Sequence, residues 1–139
     1  MLVWHFRKLD RIAKKFKTAA NAVPKPIVAS TGNDVGLIAI GGTHGAVREA
    51  VAQLKDQGIA VDYMRIRGFP FGDEVVEFLE NHERIFVVEQ NRDAQLRSML
   101  MIETNTNPNK LLSILDYAGL PLTAKVVVDA VAGQLAGVR

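Results

Sequence analysis

Cysteine is absent from all 139 residues. That excludes disulfides and any iron–sulfur cluster held by the chain's own thiolates. Histidine is scarce. His5, His44 and His82 are widely separated, and none stands in an HExxH-like spacing that would suggest zinc. The expectation is three scattered surface histidines. No apolar run approaches the roughly 18 residues that cross a bilayer. The N-terminus also lacks the apolar h-region and small-residue cleavage site of a signal peptide, so a cytoplasmic chain without a membrane span is expected.

What is present is an ordinary globular composition, 48% hydrophobic and 23% charged. Its length suits about one domain with a core that needs no staples. The net charge of +2 conceals an asymmetry. Residues 1–30 carry seven Lys/Arg against the single acid Asp10, a net of +6, while residues 31–139 carry ten against fourteen acids, a net of −4. The basic character therefore belongs to the N-terminal segment, which argues against a nucleic-acid-binding face on the body.

The organisation follows from periodicity. Leu2, Phe6, Leu9, Ala13, Phe16 and Ala20 fall at steps of three and four, one stripe of an amphipathic helix. Pro24 and Pro26 end it. The stripe is expected to dock on protein, either this domain or one before it, and a membrane surface is the competing reading. Residues 1–30 are thus read as a basic helix with its linker, and 31–139 as the domain. A polar turn, Ser30 to Asp34, precedes the body.

Within the body, Gly36–Ile40 reads as a buried strand and Ala46–Gln57 as a helix stopped by Gly58. A second strand is expected over Ile59–Ile66 and a helix over Asp73–His82, whose acidic start suits the helix dipole. Ile85–Val88 is a strand covered on both faces, and Asp93–Met101 a helix. Thr104–Asn109 reads as a loop and Leu111–Leu115 as a fourth strand, with Thr123 capping a last helix to Leu135. The alternation implies a three-layer α/β/α fold with a mostly parallel sheet, and it leaves room for one antiparallel edge strand.

Ligands and partners of such a sheet meet it at the carboxyl ends of the strands. Three segments fall there: Gly41-Gly42-Thr43-His44-Gly45, Arg65-Ile66-Arg67-Gly68-Phe69-Pro70, and Glu89-Gln90-Asn91-Arg92. The glycines match neither GxGxxG nor a P-loop, so a tight turn is favoured over a phosphate cradle. His44 has no nucleophile or carboxylate tied to it by sequence. Arg65 and Arg67, two apart on one strand, suit a subunit contact better than a carboxylate clamp. Glu89 ends a buried strand and needs a partner, for which Arg67 or Arg92 is at hand. Asn91 or Asp93 is placed to cap the next helix. The candidate interface is Gly42, Thr43, Arg65, Arg67, Glu89, Gln90, Asn91 and Arg92, and no complete catalytic constellation accompanies it.

The blocks Gly41-Gly42-Thr43 with Val47-Arg48-Glu49-Ala50, Met64–Phe71, Val87–Arg97 and Ile114–Thr123 resemble the transketolase C-terminal-like domain of the alpha subunit of 2-oxoacid:ferredoxin oxidoreductases, nearest the 2-oxoglutarate branch. Gly42 stands where many relatives carry Ser, and Ala94 where many carry Gly. The resemblance implies that a whole complex oxidatively decarboxylates a 2-oxoacid to its acyl-CoA and passes electrons to ferredoxin. It implies thiamine diphosphate, magnesium, coenzyme A and iron–sulfur clusters for that complex, with no cofactor, catalytic or metal site in this chain. The expected partners are a thiamine-binding beta subunit and the other alpha-subunit domains, with ferredoxin indirectly and a homodimer as a further option. The chain is then an excised fragment or a split subunit, serving assembly. The alternative reading is a free-standing small-ligand or nucleotide-binding α/β domain.

Overall fold

Alternating side chains along each central strand supply two separate cores. In the computed structural model, which describes residues 2–137, strand β2 (Val35–Ile40) points Leu37 and Ala39 to one face and Ile38 to the other. Strand β4 (Arg84–Glu89) does the same with Phe86 and Val88 against Ile85 and Val87. All seven of these apolar residues are excluded from solvent, and only Val35 and Ile40 at the ends of β2 are not, which is why both strands read as unbroken apolar runs. Helices α2 (His44–Asp56) and α5 (Ala124–Ala136) cover the first face. Helices α3 (Asp73–Asn81) and α4 (Gln95–Thr104) cover the second. Met1, Val138, Arg139 and the Leu2 side chain, the last of these part of the expected apolar stripe, lie outside the described residues.

The sheet order is β1-β3-β2-β4-β5, with β3 at Asp62–Ile66 and β5 at Leu111–Leu115. Strands β3, β2, β4 and β5 are parallel. The chain steps outward from β2 to β3, then returns past β2 to β4, so the switch point lies between β2 and β4. The expected parallel α/β fold is therefore present, with its antiparallel edge strand. That edge is β1 (Ile27–Ala29), paired to β3 with Ile27 opposite Arg65 and Ala29 opposite Tyr63. The sequence pattern places these residues in the linker. Three residues behind two prolines carry too little periodicity to announce a strand, and an edge position is where such a short strand is tolerated.

Several boundaries move for local reasons. Helix α2 begins at His44, earlier than expected, after a single 3-10 turn over Gly41–Thr43. Its end is the expected one: Gly58 adopts φ +77, its N–H donates to the Lys55 carbonyl at 2.9 Å, and the Ile59 N–H donates to the Leu54 carbonyl at 2.9 Å. That is a Schellman motif, and Ile59 packs on the core beside Leu54. Strand β3 consequently starts only at Asp62. Pro108–Lys110 forms a 3-10 turn inside the expected loop. Thr123 does occupy the position before α5, yet its side chain makes no capping bond.

The N-terminal helix α1 (Leu2–Ala22) forms as the periodicity predicts. Its stripe does not pack on this domain. Phe6, Leu9 and Ile12 are each about three-fifths exposed. Contact begins only near the end, where the Phe16 ring meets Phe69 edge-on at 5.5 Å. Of the two protein surfaces expected for the stripe, this domain is not the one.

Candidate functional site

Because β2, β3 and β4 run parallel, their three carboxyl-end loops share one edge of the sheet, as the sequence pattern requires. At the switch point Gly42 is exposed, and a Cβ there would come no closer than 3.9 Å to the Gln90 side chain. Thr43 is buried and donates its hydroxyl to the Ile40 carbonyl at 2.8 Å, closing the turn after β2. Gln90 is exposed and donates to the Leu120 carbonyl at 3.3 Å, tying the β4 and β5 loops together.

Glu89 is buried with only 2% of its surface exposed. Its partners are not Arg67 or Arg92. One carboxylate oxygen accepts the Leu96 N–H at 2.6 Å and the Asn91 side-chain amide at 2.9 Å, and the other accepts the Arg97 N–H at 3.2 Å. These backbone donors belong to the first turn of α4, which would otherwise be unsatisfied. Asn91 accepts the Gln95 N–H at 3.3 Å and the Asp93 N–H at 3.1 Å. The capping is thus shared: Asn91 and Glu89 together replace the single cap expected, and Ala94 takes the cap position itself at φ 50. Arg92 lies in solvent and pairs with the adjacent Asp93.

Arg65 and Arg67 part company. Arg67 lies beyond the end of β3 and reaches only the Lys25 carbonyl, at 3.5 Å. Arg65 is half-buried on the α2 side of β3, two residues from Tyr63, and its Nε is buried with no hydrogen-bond partner. Beside it, the Tyr63 hydroxyl lies 2.7 Å from His44 Nδ1, and the two rings stack at 5.8 Å. Burial lowers the His44 pKa, and the charges of Arg65 and Arg48 lower it further. The Tyr63 pKa is pushed up to about 12 by burial, against the opposing pull of the same two arginines. Tyr63 is therefore the donor and neutral His44 the acceptor. This leaves His44 Nδ1 occupied, so the residue is held as a partner of Tyr63 rather than poised as a base.

Sequence reasoning missed one cluster altogether. His82 is buried, contrary to the expected surface position, with Nδ1 2.6 Å from the Phe78 carbonyl and Nε2 3.2 Å from the Asp62 carboxylate. Asp62 also accepts the backbone N–H groups of Thr31, Gly32 and Asn33 at 2.9, 3.2 and 3.2 Å, the Asn33 amide at 2.6 Å and the Ser30 hydroxyl. Burial alone would raise its pKa, but the donors from Ser30, Thr31, Asn33 and His82 outweigh that and hold the carboxyl well below the usual carboxylate range. The signal was an Asp inside an otherwise apolar strand, which requires saturation by donors. The cluster fastens the turn before β2 and does not open toward the carboxyl edge.

Among the described residues no group of three or more His, Cys, Asp or Glu could hold a metal ion. With no cysteine in the sequence, the residues present do not fit an iron–sulfur cluster held by cysteine thiolates. Among them, too, no helix is long and apolar enough to cross a membrane.

Comparison with known proteins agrees with this geometry. Residues 33–121 match the family described as pyruvate:ferredoxin oxidoreductase core domain II. The alpha subunit of 2-oxoacid:ferredoxin oxidoreductase 2 from Aeropyrum pernix is 33% identical over 124 residues, which is 85% of this chain and 19% of that protein. Among solved structures, 2-oxoglutarate:ferredoxin oxidoreductase from Magnetococcus marinus, with 2-oxoglutarate, coenzyme A and succinyl-CoA bound, aligns at a TM-score of 0.76 and 26% identity, over 86% of this chain and 21% of that one. A split-gene transketolase shares the fold at a TM-score of 0.66 and 23% identity, over 83% and 42% of the two chains. The chain spans about a fifth of the length of the curated relatives it matches. With more than half its residues inside the matched region and the four parallel strands, switch point and Glu89 turn all falling there, the chain belongs to the pyruvate:ferredoxin oxidoreductase core domain II family.

Proposed function

We propose that this chain serves as the assembly domain of the alpha subunit of a 2-oxoacid:ferredoxin oxidoreductase, with 2-oxoglutarate as the acid. The complex would convert the 2-oxoacid and coenzyme A to an acyl-CoA and carbon dioxide, and two electrons would pass to ferredoxin. Thiamine diphosphate, magnesium and the iron–sulfur clusters would be held by other domains or by a thiamine-binding beta subunit, in the cytoplasm. The reading is carried by the family match over residues 33–121, joined to a carboxyl edge whose one buried carboxylate is consumed in capping α4. A free-standing nucleotide-binding domain is not favoured, because the turn after β2 is a single 3-10 turn without the fingerprint glycine spacing.

The exposed members of the edge, Gly42, Arg67, Gln90 and Arg92, would form the contact with the beta subunit. Thr43, Glu89 and Asn91 would hold those loops in shape. Helix α1 would act as a separate arm, its apolar stripe laid on another alpha-subunit domain. The test is a pull-down from native extract with the chain as bait, paired with a viologen-reduction assay. The thiamine-binding subunit should be retained. The chain alone, given a 2-oxoacid, thiamine diphosphate, magnesium and coenzyme A, should reduce no dye. Turnover above background from the pure chain would overturn the reading.

A further inference from the structure

A cleft of about 540 Å3 runs along the flank of the sheet, between the outer face of α2 and the β1–β3 edge. It lies away from the switch point and is no part of the proposed contact with other subunits. Val51 and Val61 supply apolar walls, and Arg48, Val51 and Lys55 share one face of α2 by their spacing of three and four. Its volume is in the range of small-molecule sites, which are mostly apolar with a few placed polar groups.

The charge in this region is unbalanced. Among the described residues, Arg48 and Lys55 make no ion pair or side-chain hydrogen bond, and neither does Arg65 at the adjoining end of β3. The only carboxylate lining the cleft is Asp62, whose oxygens are saturated by the turn at 30–33 and by His82. Arg48 lines the cleft and Arg65 follows its Tyr63 on the same face of β3, so two cations flank the neutral His44–Tyr63 pair, and Lys55 lines the cleft farther along α2, with no free carboxylate lining the cleft to meet them. Arg65 sharpens the point, since a guanidinium N–H buried without an acceptor loses its hydration for no return.

We propose that this cleft binds a small organic anion, with its phosphate or carboxylate held by Arg48 and Arg65 and its apolar body laid between Val51 and Val61. Lys55, about two turns along α2 from Arg48, serves a second anionic group or the approach of the first. Guanidinium groups suit a phosphate or carboxylate because their N–H forks match two oxygens at once. The basic helix α1 of a second copy is a poor occupant, because its charge has the same sign as the rim.

Phenyl phosphate is the probe, titrated into the full 139-residue chain by two-dimensional NMR. Benzyl alcohol tests the apolar body alone, and inorganic phosphate the anion alone. Saturable shifts at the amides of Arg48, Val51, Val61 and Tyr63 are expected with phenyl phosphate, with a dissociation constant tighter than about 10 mM. Each control should bind more weakly. Arg48→Gln, at an exposed helix position that leaves the core intact, should weaken binding by about tenfold or more, the usual weight of a charge-assisted contact. Arg65→Gln should do the same, and Arg48→Lys should restore part of the loss. Absence of saturable binding, or a loss below about tenfold in Arg48→Gln, overturns the proposal.

Discussion

Glu89 closes a strand whose preceding four residues are all fully excluded from solvent, and a carboxylate there survives only by finding donors. It finds them in the backbone of the next helix rather than in an arginine. Glu89→Ala would strip the first turn of α4 of acceptors for two N–H groups and orphan the Asn91 amide. A stability loss of about 2–4 kcal/mol is expected, from the cap and the unsatisfied buried donors together. Denaturant unfolding of the isolated chain measures it, and a change under about 0.5 kcal/mol would show that water replaces the carboxylate at no cost. Sequence reading placed Glu89 at a contact between subunits because a strand end and a polar block were all it could see. That a buried carboxylate needs a partner was legible; that the partner is a helix N-terminus seven residues on was not, because it depends on the turn through Ala94. Ala94 itself stands at φ 50, a conformation that favours glycine.

At the scale of elements, periodicity located every helix and four of the five strands, since each carries an apolar face or run long enough to print a pattern. Where a boundary moved, the cause was local backbone chemistry: the Schellman end of α2, the 3-10 turn at Gly41–Thr43, and the shared cap of α4. Strand β1 escaped because its identity comes from β3, not from its own three residues. Gly36 shows the opposite case, a residue whose reason is purely tertiary: a Cβ there would lie 2.8 Å from the Phe78 ring. Helix α1 is legible as a helix and its stripe as apolar, yet this domain leaves most of the stripe exposed. Phe16→Asp should therefore change the stability of the isolated chain by only about 1 kcal/mol, the worth of an edge-on aromatic pair such as Phe16–Phe69. The same substitution should abolish retention of the other alpha-subunit domain in a pull-down. An unchanged pull-down together with lost binding to anionic vesicles would assign the stripe to lipid instead.

For the molecule as a whole, the Asp62 cluster does what the two cores do not, because it ties in the polar Ser30–Asn33 turn, which contributes to neither core. The Ser30–Asn33 turn, the start of β3 and the end of α3 all converge on one carboxylate. The sequence offered an acid in a strand and a distant histidine, and only the topology brings them to 3.2 Å. The folded-state pKa of Asp62 lies below its unfolded value, so folding favours the ionised form. Its contribution is fully present above the unfolded pKa of about 3.9 and is lost progressively as the pH falls below that value toward the folded one. Stability should accordingly be flat on this account near neutrality and decline from about pH 4 downward. Asp62→Asn keeps the shape but removes the charge facing His82. It should cost about 1–3 kcal/mol at neutral pH, as expected when buried donors lose their acceptor, and it should flatten the acid limb of the stability curve. Urea melts of both proteins at several pH values between about 2.5 and 7 separate the two effects. A variant whose acid limb stays as steep as that of the natural chain would mean that other carboxylates, such as Glu74 beside Lys25, govern acid unfolding and that the Asp62 cluster is a local fastening only.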